Sequence, residues 1–277
     1  MFSTQRVPPR TKATMLYFDV MHDSVLRRLR ETFHERFDRH GVVEQARGAG
    51  QLFAGNYAPA ATVREEFGGS LIGIGVMHDL AGEVVSVGGT TWRIPVDGTP
   101  VLVGDDETLA FGVAAHGGRR HRVAVPAGLD VDGTLGVVDA YLERHHIDHE
   151  QVVCALRVEG AFRDVVLRTV APPRYEGQPL GEIIDDEVRF IFDSWAGVMI
   201  GFRFPDVSSG ETIPGLHLHG ISDDRRSGGH LRNMVTADVV MDLWVDELQG
   251  LRDSAQTITS GSGGDVDFAR YERPVNE

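Results

Sequence analysis

Hydrophobic positions along the chain follow two different periods. In "DSVLRRLRETFHERFDRHG", Leu26, Leu29, Phe33 and Phe37 recur three or four apart, with Asp23 or Ser24 as N-cap and Gly41 at the stop. That spacing predicts an amphipathic helix packed on the body of the protein or on a partner chain. From about Gly69 onward the pattern changes to short runs of strand type: "SLIGIGVM", "EVVSVGGTTWRIPV", "TPVLVG" and "RVAVPAG". Gly88-Gly89 supplies the turn of a hairpin between two of them. The segment Leu135–Arg144 is expected to be helical, and "VVCALRVEGAFRDVVLRTV" to form one or two strands around Gly160. Beyond the proline-rich connection "PPRYEGQPLGEI", the stretches "VRFIFDSWAGVMIGFRFP", "GLHLHGIS" and "NMVTADVVMDLWVDEL" continue the strand pattern. "TSGSGGD" reads as a flexible linker ahead of the tail "VDFARYERPVNE".

Composition narrows the possible partners. The chain has 277 residues, long enough to bury a sizeable core. Lys plus Arg is 27 against 41 for Asp plus Glu, a formal net charge of -14, and no basic block offsets it. Such a field repels nucleic acid and anionic membrane, and an anionic small molecule would need a local arginine. Cys154 is the sole cysteine, so no intrachain disulfide is expected. Within "QVVCALRV" it reads as a buried small hydrophobe rather than a nucleophile. The N-terminus lacks the apolar core of a signal peptide and no later run is long enough to span a bilayer, which points to the cytoplasm.

The candidate chemistry lies in "GLHLHGISDDRRSGGH", from Gly215 to His230. Alternation along a strand sends His217 and His219 to one face. The turn-forming run "GISDDRRSGG" lets the chain reverse and bring His230 beside them. Three neutral imidazoles suit Zn²⁺, or copper, iron or nickel, with an open fourth position. Spacing alone leaves a chance H-x-H pair with a surface His230 equally open. A second cluster, His145 and His149 in "ERHHIDHE", is saturated with charge and reads as a solvated face. "GGSLIGIG" lacks the third glycine and the strand-to-helix context of a dinucleotide fingerprint.

Three segments, "LAGEVVSVGGTTWRI", "ALRVEGAFRDVVLRTV" and "IPGLHLHGISDDRRSGGH", occur in the order and at roughly the separations found in the alpha-acetolactate decarboxylase family, which this chain resembles over roughly residues 65–245. The resemblance implies a zinc-dependent carboxy-lyase that converts 2-acetolactate to acetoin and carbon dioxide through a metal-bound enediolate, often as a homodimer. It implies an α/β (α+β) fold of two β-rich subdomains with mixed sheets and few helices. His217, His219 and His230 match the zinc ligands, Arg168 the active-site arginine and Glu83 the first active-site glutamate. A second glutamate enters from the family's C-terminus, for which Glu272 is the candidate and Glu277 the alternative. The chain departs from the family pattern at Ala81-Gly82-Glu83, at Trp92-Arg93 after the hairpin turn, and at "LAFGVAAH". The corresponding organisation is an N-terminal extension over 1–60, a β-rich subdomain over 61–150, a metal-binding β subdomain over 151–255, and a linker and tail over 256–277.

The alternatives differ in what they ask of the metal. A lyase or isomerase for another 2-hydroxy-3-keto or 3-keto acid would keep the site and change the pocket. A cupin-like oxygenase would need a redox-active ion, and Gly210 stands one residue too far upstream for the usual cupin spacing. A β-rich binding module would use the metal structurally or not at all, and three ligands without a fourth histidine or a cysteine argue against it.

Overall fold

In a computed structural model of the chain, the described residues are 43–206 and 212–248. The predicted helix over 23–41, the linker and tail, Glu272 and Glu277 all lie outside them. The described residues fall within one compact unit that begins at Gly41.

A first sheet contains β1 (Val43–Gln45), β2 (Ala61–Thr62), β3 (Ile72–Met77), β4 (Glu83–Val87), β5 (Thr90–Ile94), β6 (Val101–Leu102) and β7 (Thr108–Ala115). Its strand order is β1-β7-β3-β4-β5-β6, with β2 also on β7. The β4–β5 hairpin turns at Gly88-Gly89, both with positive φ, which pairs Val87 with Thr90 as the sequence predicts. The second sheet contains β8 (His121–Val123), β9 (Val152–Thr169), β10 (Val188–Phe204), β11 (Gly215–Ser222) and β12 (Gly228–Glu247). Its order is β11-β10-β9-β12-β8, and a further β11–β12 pairing lets β11 meet both β10 and β12.

Four helices of at least one turn accompany the sheets among the described residues: α1 (Ala49–Phe53), α2 (Val63–Phe67), α3 (Val131–Arg144) and α4 (Leu180–Ile184). Helix α3 starts four residues before the sequence pattern suggests, because the Asp130 side chain accepts a hydrogen bond from Gly133 N at 2.8 Å and caps it. The fold is thus strand-rich with few helices and two sheets. One part of the expectation differs: among the described residues every strand pairing is antiparallel, not mixed. Tight turns join β4 to β5 and β11 to β12, whereas the adjacent strands β9 and β10 are antiparallel across a longer connection that carries α4. The chain leaves the first sheet at Ala115 and enters the second at His121.

Alternation along the long strands gives the second sheet two apolar faces. Leu156, Val158, Leu167, Leu218 and Leu243 share a core with Val138 and Leu142 of α3. Ala155, Ile200, Phe202 and Ile221 point the other way and pack with Ile72, Ile74 and Val85 of the first sheet. His217 and His219 share the parity of Ile221, so the strand period directs both imidazoles into the space between the sheets. Cys154 belongs to the α3 side, and burial pushes its thiol pKa up to about 12, as befits a core residue rather than a nucleophile.

Candidate metal and active site

The β11–β12 hairpin brings the three histidines together. Its register sets His219 opposite His230, closed by a turn over residues 223–227. The next strand extends the row: His230 lies opposite Arg168 on β9, and Arg168 opposite Arg189 on β10. Gly229 permits the approach, since its φ is +144° and a Cβ there would lie 2.5 Å from the Arg168 carbonyl oxygen.

All three imidazoles are buried, and one ring nitrogen from each lies within 4.8 Å of the others. His217 Nε2 is 3.2 Å from His219 Nε2 and 3.2 Å from His230 Nδ1. Metal–imidazole bonds of about 2.0–2.1 Å at tetrahedral angles put ligand nitrogens about 3.3–3.4 Å apart. The residues present therefore fit a metal ion.

The surroundings also fix a tautomer. His219 Nδ1 lies 2.9 Å from the Val84 carbonyl oxygen, which can only accept, so Nδ1 carries the proton and Nε2 turns its lone pair into the cluster. Burial, and then the neighbouring charge of Arg168, hold the His230 pKa well below its ordinary value, which keeps that ring neutral.

Glu83, at the start of β4, faces the triad from the first sheet. Its Oε1 accepts a hydrogen bond from Arg168 Nη1 at 2.9 Å, and its Oε2 is 3.7 Å from His219 Nε2. Both side chains are only 7% exposed, so the pair is shielded from bulk water. The structure thus brings together five residues singled out in the sequence: Glu83, Arg168, His217, His219 and His230. They share a cavity with an apolar wall that includes Phe53, Leu80, Phe111, Leu180, Ile184 and Ile213.

His145 and His149 are not part of any three-residue metal cluster among the described residues. His149 Nδ1 sits instead 3.4 Å from Asp139.

Residues 45–251 match the sequence profile described as alpha-acetolactate decarboxylase. The chain belongs to that family. Alpha-acetolactate decarboxylase of Klebsiella aerogenes is 27% identical over 190 residues, 69% of this chain and 71% of that protein. The Methylococcus capsulatus enzyme is 27% identical over 213 residues, 77% of this chain and 80% of that protein. Among solved structures, alpha-acetolactate decarboxylase from Bacillus subtilis shares the fold with a TM-score of 0.63 at 23% identity, covering 74% of this chain and 85% of that one. A Staphylococcus aureus protein described as similar to alpha-acetolactate decarboxylase gives a TM-score of 0.67 at 17% identity, covering 83% and 98%. Membership makes the chain a carboxy-lyase family protein, and no helix among its described residues is long and apolar enough to cross a membrane.

Two of the three departures from the family pattern differ in their distance from the cavity. Trp92 lies beside the hairpin that carries the histidines, with the Arg225 guanidinium 5.0 Å from its ring centre, and neither Trp92 nor Arg93 lines the cavity. Phe111, within "LAFGVAAH", does line it.

Two buried charges near the site escaped the sequence reading. Glu187, 5% exposed, places Oε2 3.3 Å from Arg168 Nε, and its Oε1 accepts a hydrogen bond from Arg189 Nε at 2.6 Å. Arg232 Nε is 3.6 Å from the same Oε1. Glu187 stands in "IIDDEVRF", where it resembles its acidic neighbours in a solvated turn. Its signal is the register that sets Arg168 opposite Arg189, which a single sequence does not display.

Proposed function

We propose that the chain decarboxylates 2-acetolactate (2-hydroxy-2-methyl-3-oxobutanoate) to acetoin, using a zinc ion held by His217, His219 and His230. One observation carries this reading: three buried imidazole nitrogens converge at ligand spacing beside a buried Arg168–Glu83 pair, in a cavity walled by apolar side chains. Zinc, when bound, supplies Lewis acidity toward the ketone and hydroxyl oxygens.

The protein's own groups do the rest. Arg168 offers a planar, permanently charged fork to the substrate carboxylate, and it places a positive charge on the cavity wall of an otherwise acidic chain. Holding that carboxylate out of the ketone plane aligns the breaking carbon–carbon bond with the carbonyl that receives its electrons. Glu83 lies next to both Arg168 and His219, where its carboxyl group can hold and return the proton that completes the hydroxyketone. Phe53, Phe111 and Leu180 line the cavity and limit the water that would otherwise compete for these contacts. A C-terminal glutamate, Glu272 or Glu277, is proposed as the second acid. The buried thiol of Cys154 is in keeping with a cytoplasmic setting, and a homodimer is the proposed working form.

The test is acetoin formation from racemic 2-acetolactate by the zinc-loaded protein, with His217→Ala and Glu83→Gln beside it. Metal-dependent turnover, lost in the first variant and lost with zinc retained in the second, is expected. A folded, zinc-containing wild type that makes no acetoin would move the function to another 2-hydroxy-3-keto or 3-keto acid.

A further inference from the structure

We infer that Glu187 is a positioning residue for Arg168: its carboxylate pairs electrostatically with the inner end of the guanidinium while Glu83 accepts a hydrogen bond from the outer end, and together they set the direction from which the arginine meets a bound carboxylate. The inference deepens the proposed function and rests on it for the substrate.

The geometry divides the arginine's donors. Nη1 donates to Glu83 at 2.9 Å, and Nε lies 3.3 Å from Glu187 Oε2. The Nε contact is an ion pair without the alignment of a hydrogen bond, so the Nη1 bond anchors the rigid, planar guanidinium and the Glu187 charge biases its remaining rotation. Arg168 lines the cavity and Glu187 does not, which means that Glu187 acts through the arginine rather than on a ligand. The carboxylate is itself held on its far side by the hydrogen bond from Arg189 Nε at 2.6 Å. Its place in the chain is fixed as well: its backbone N–H donates to the Ile184 carbonyl at 3.0 Å, at the end of α4, immediately before β10 begins.

Charge decides what its loss should do. Glu187→Gln removes a negative charge beside Arg168, Arg189 and Arg232, and Coulomb attraction alone would then draw an anion more tightly. Weaker anion binding can follow only if the guanidinium has moved. The sign of the change therefore separates positioning from bulk electrostatics.

The probe is 2-hydroxy-2-methylpropanoate, a hydroxy acid with no ketone to accept electrons, titrated calorimetrically into the zinc-loaded full chain. Glu187→Gln is expected to weaken its binding about tenfold with zinc content unchanged, and to lower kcat/KM for 2-acetolactate at least as much. In a double-mutant cycle, the Glu187→Gln and Arg168→Lys effects should fall well short of additivity.

Unpairing the buried arginines could prevent Glu187→Gln from folding. Glu187→Asp keeps the charge and withdraws it by one methylene. It should fold and still bind several-fold more weakly. Unchanged or tighter binding in Glu187→Gln, full binding in Glu187→Asp, or additive effects in the cycle would overturn the inference. A wild type that binds the hydroxy acid in this Glu187-dependent way but makes no acetoin would refute the substrate and leave the positioning role standing. Acetoin formation that ignores Glu187 would do the reverse.

Discussion

Removing the metal should cost the protein much of its thermal stability, and the size of that loss follows from the site. Three imidazoles face one another inside the fold with two nitrogen pairs 3.2 Å apart. The β11–β12 hairpin and its pairing with β9 hold that arrangement, and an unfolded chain has no such preformed triad. An ion that binds only the folded state stabilises it by RT ln(1 + [L]/Kd), about 4.1 kcal/mol when free metal is 1,000 times its Kd. For folded bodies of about 150–250 residues each kcal/mol moves the midpoint by about 2–4 °C, so zinc should raise it by about 8–16 °C. The assay is a thermal melt of chelator-treated protein with and without added zinc, in wild type, His217→Ala and His145→Ala. His217 supplies the nitrogen shared by both short pairs, so its replacement should abolish most of the shift, whereas His145, outside the cluster, should leave it intact. Equal shifts in wild type and His217→Ala would refute the location of the ion. No shift in wild type would refute the cluster as a metal site.

Two further outcomes test how the fold supports this site. Gly201 on β10 pairs with Leu218, and a Cβ there would lie 1.9 Å from the His217 carbonyl oxygen. Gly201→Ala should therefore push β11 away, cost about 3 kcal/mol and lower bound zinc well below one per chain, read by denaturant titration and metal analysis. Glu66 is buried, and burial first, then the charge of Glu44, raises its pKa to about 8 against an offsetting hydrogen bond from the Ala46 backbone. Between pH 4.5 and about 8 the folded state keeps a proton that the unfolded chain has released, so this group makes stability fall by about 1.4 kcal/mol per pH unit as pH rises. Glu66→Gln should remove that slope, and urea midpoints of the two proteins that stay parallel from pH 5 to 7.5 would show that the carboxyl is already ionised.

What the sequence revealed of this architecture depended on how local each constraint is. The Gly88-Gly89 hairpin was legible because a two-residue turn with positive φ at both positions has a short list of permitted residues. His217 and His219 were legible as a pair because a strand's period is two, and His230 because the intervening run could turn within a hairpin. The resemblance to a family added Arg168 and Glu83, which no local pattern links: they stand 85 positions apart and meet only when β4 of one sheet faces β9 of the other. Glu187 needed both that meeting and the β9–β10 register before its charge had a meaning. Antiparallel pairing was legible only at the two hairpins, since apolar alternation elsewhere fixes which face a strand buries and leaves the direction of its neighbour to the connections. The site therefore has two physical layers. Its metal-binding half is written into one hairpin, and its anion-binding half draws on three further segments, β4, β9 and the residues at the start of β10. Substitutions in the second layer should alter substrate binding while leaving zinc in place, and those in the hairpin should remove both together.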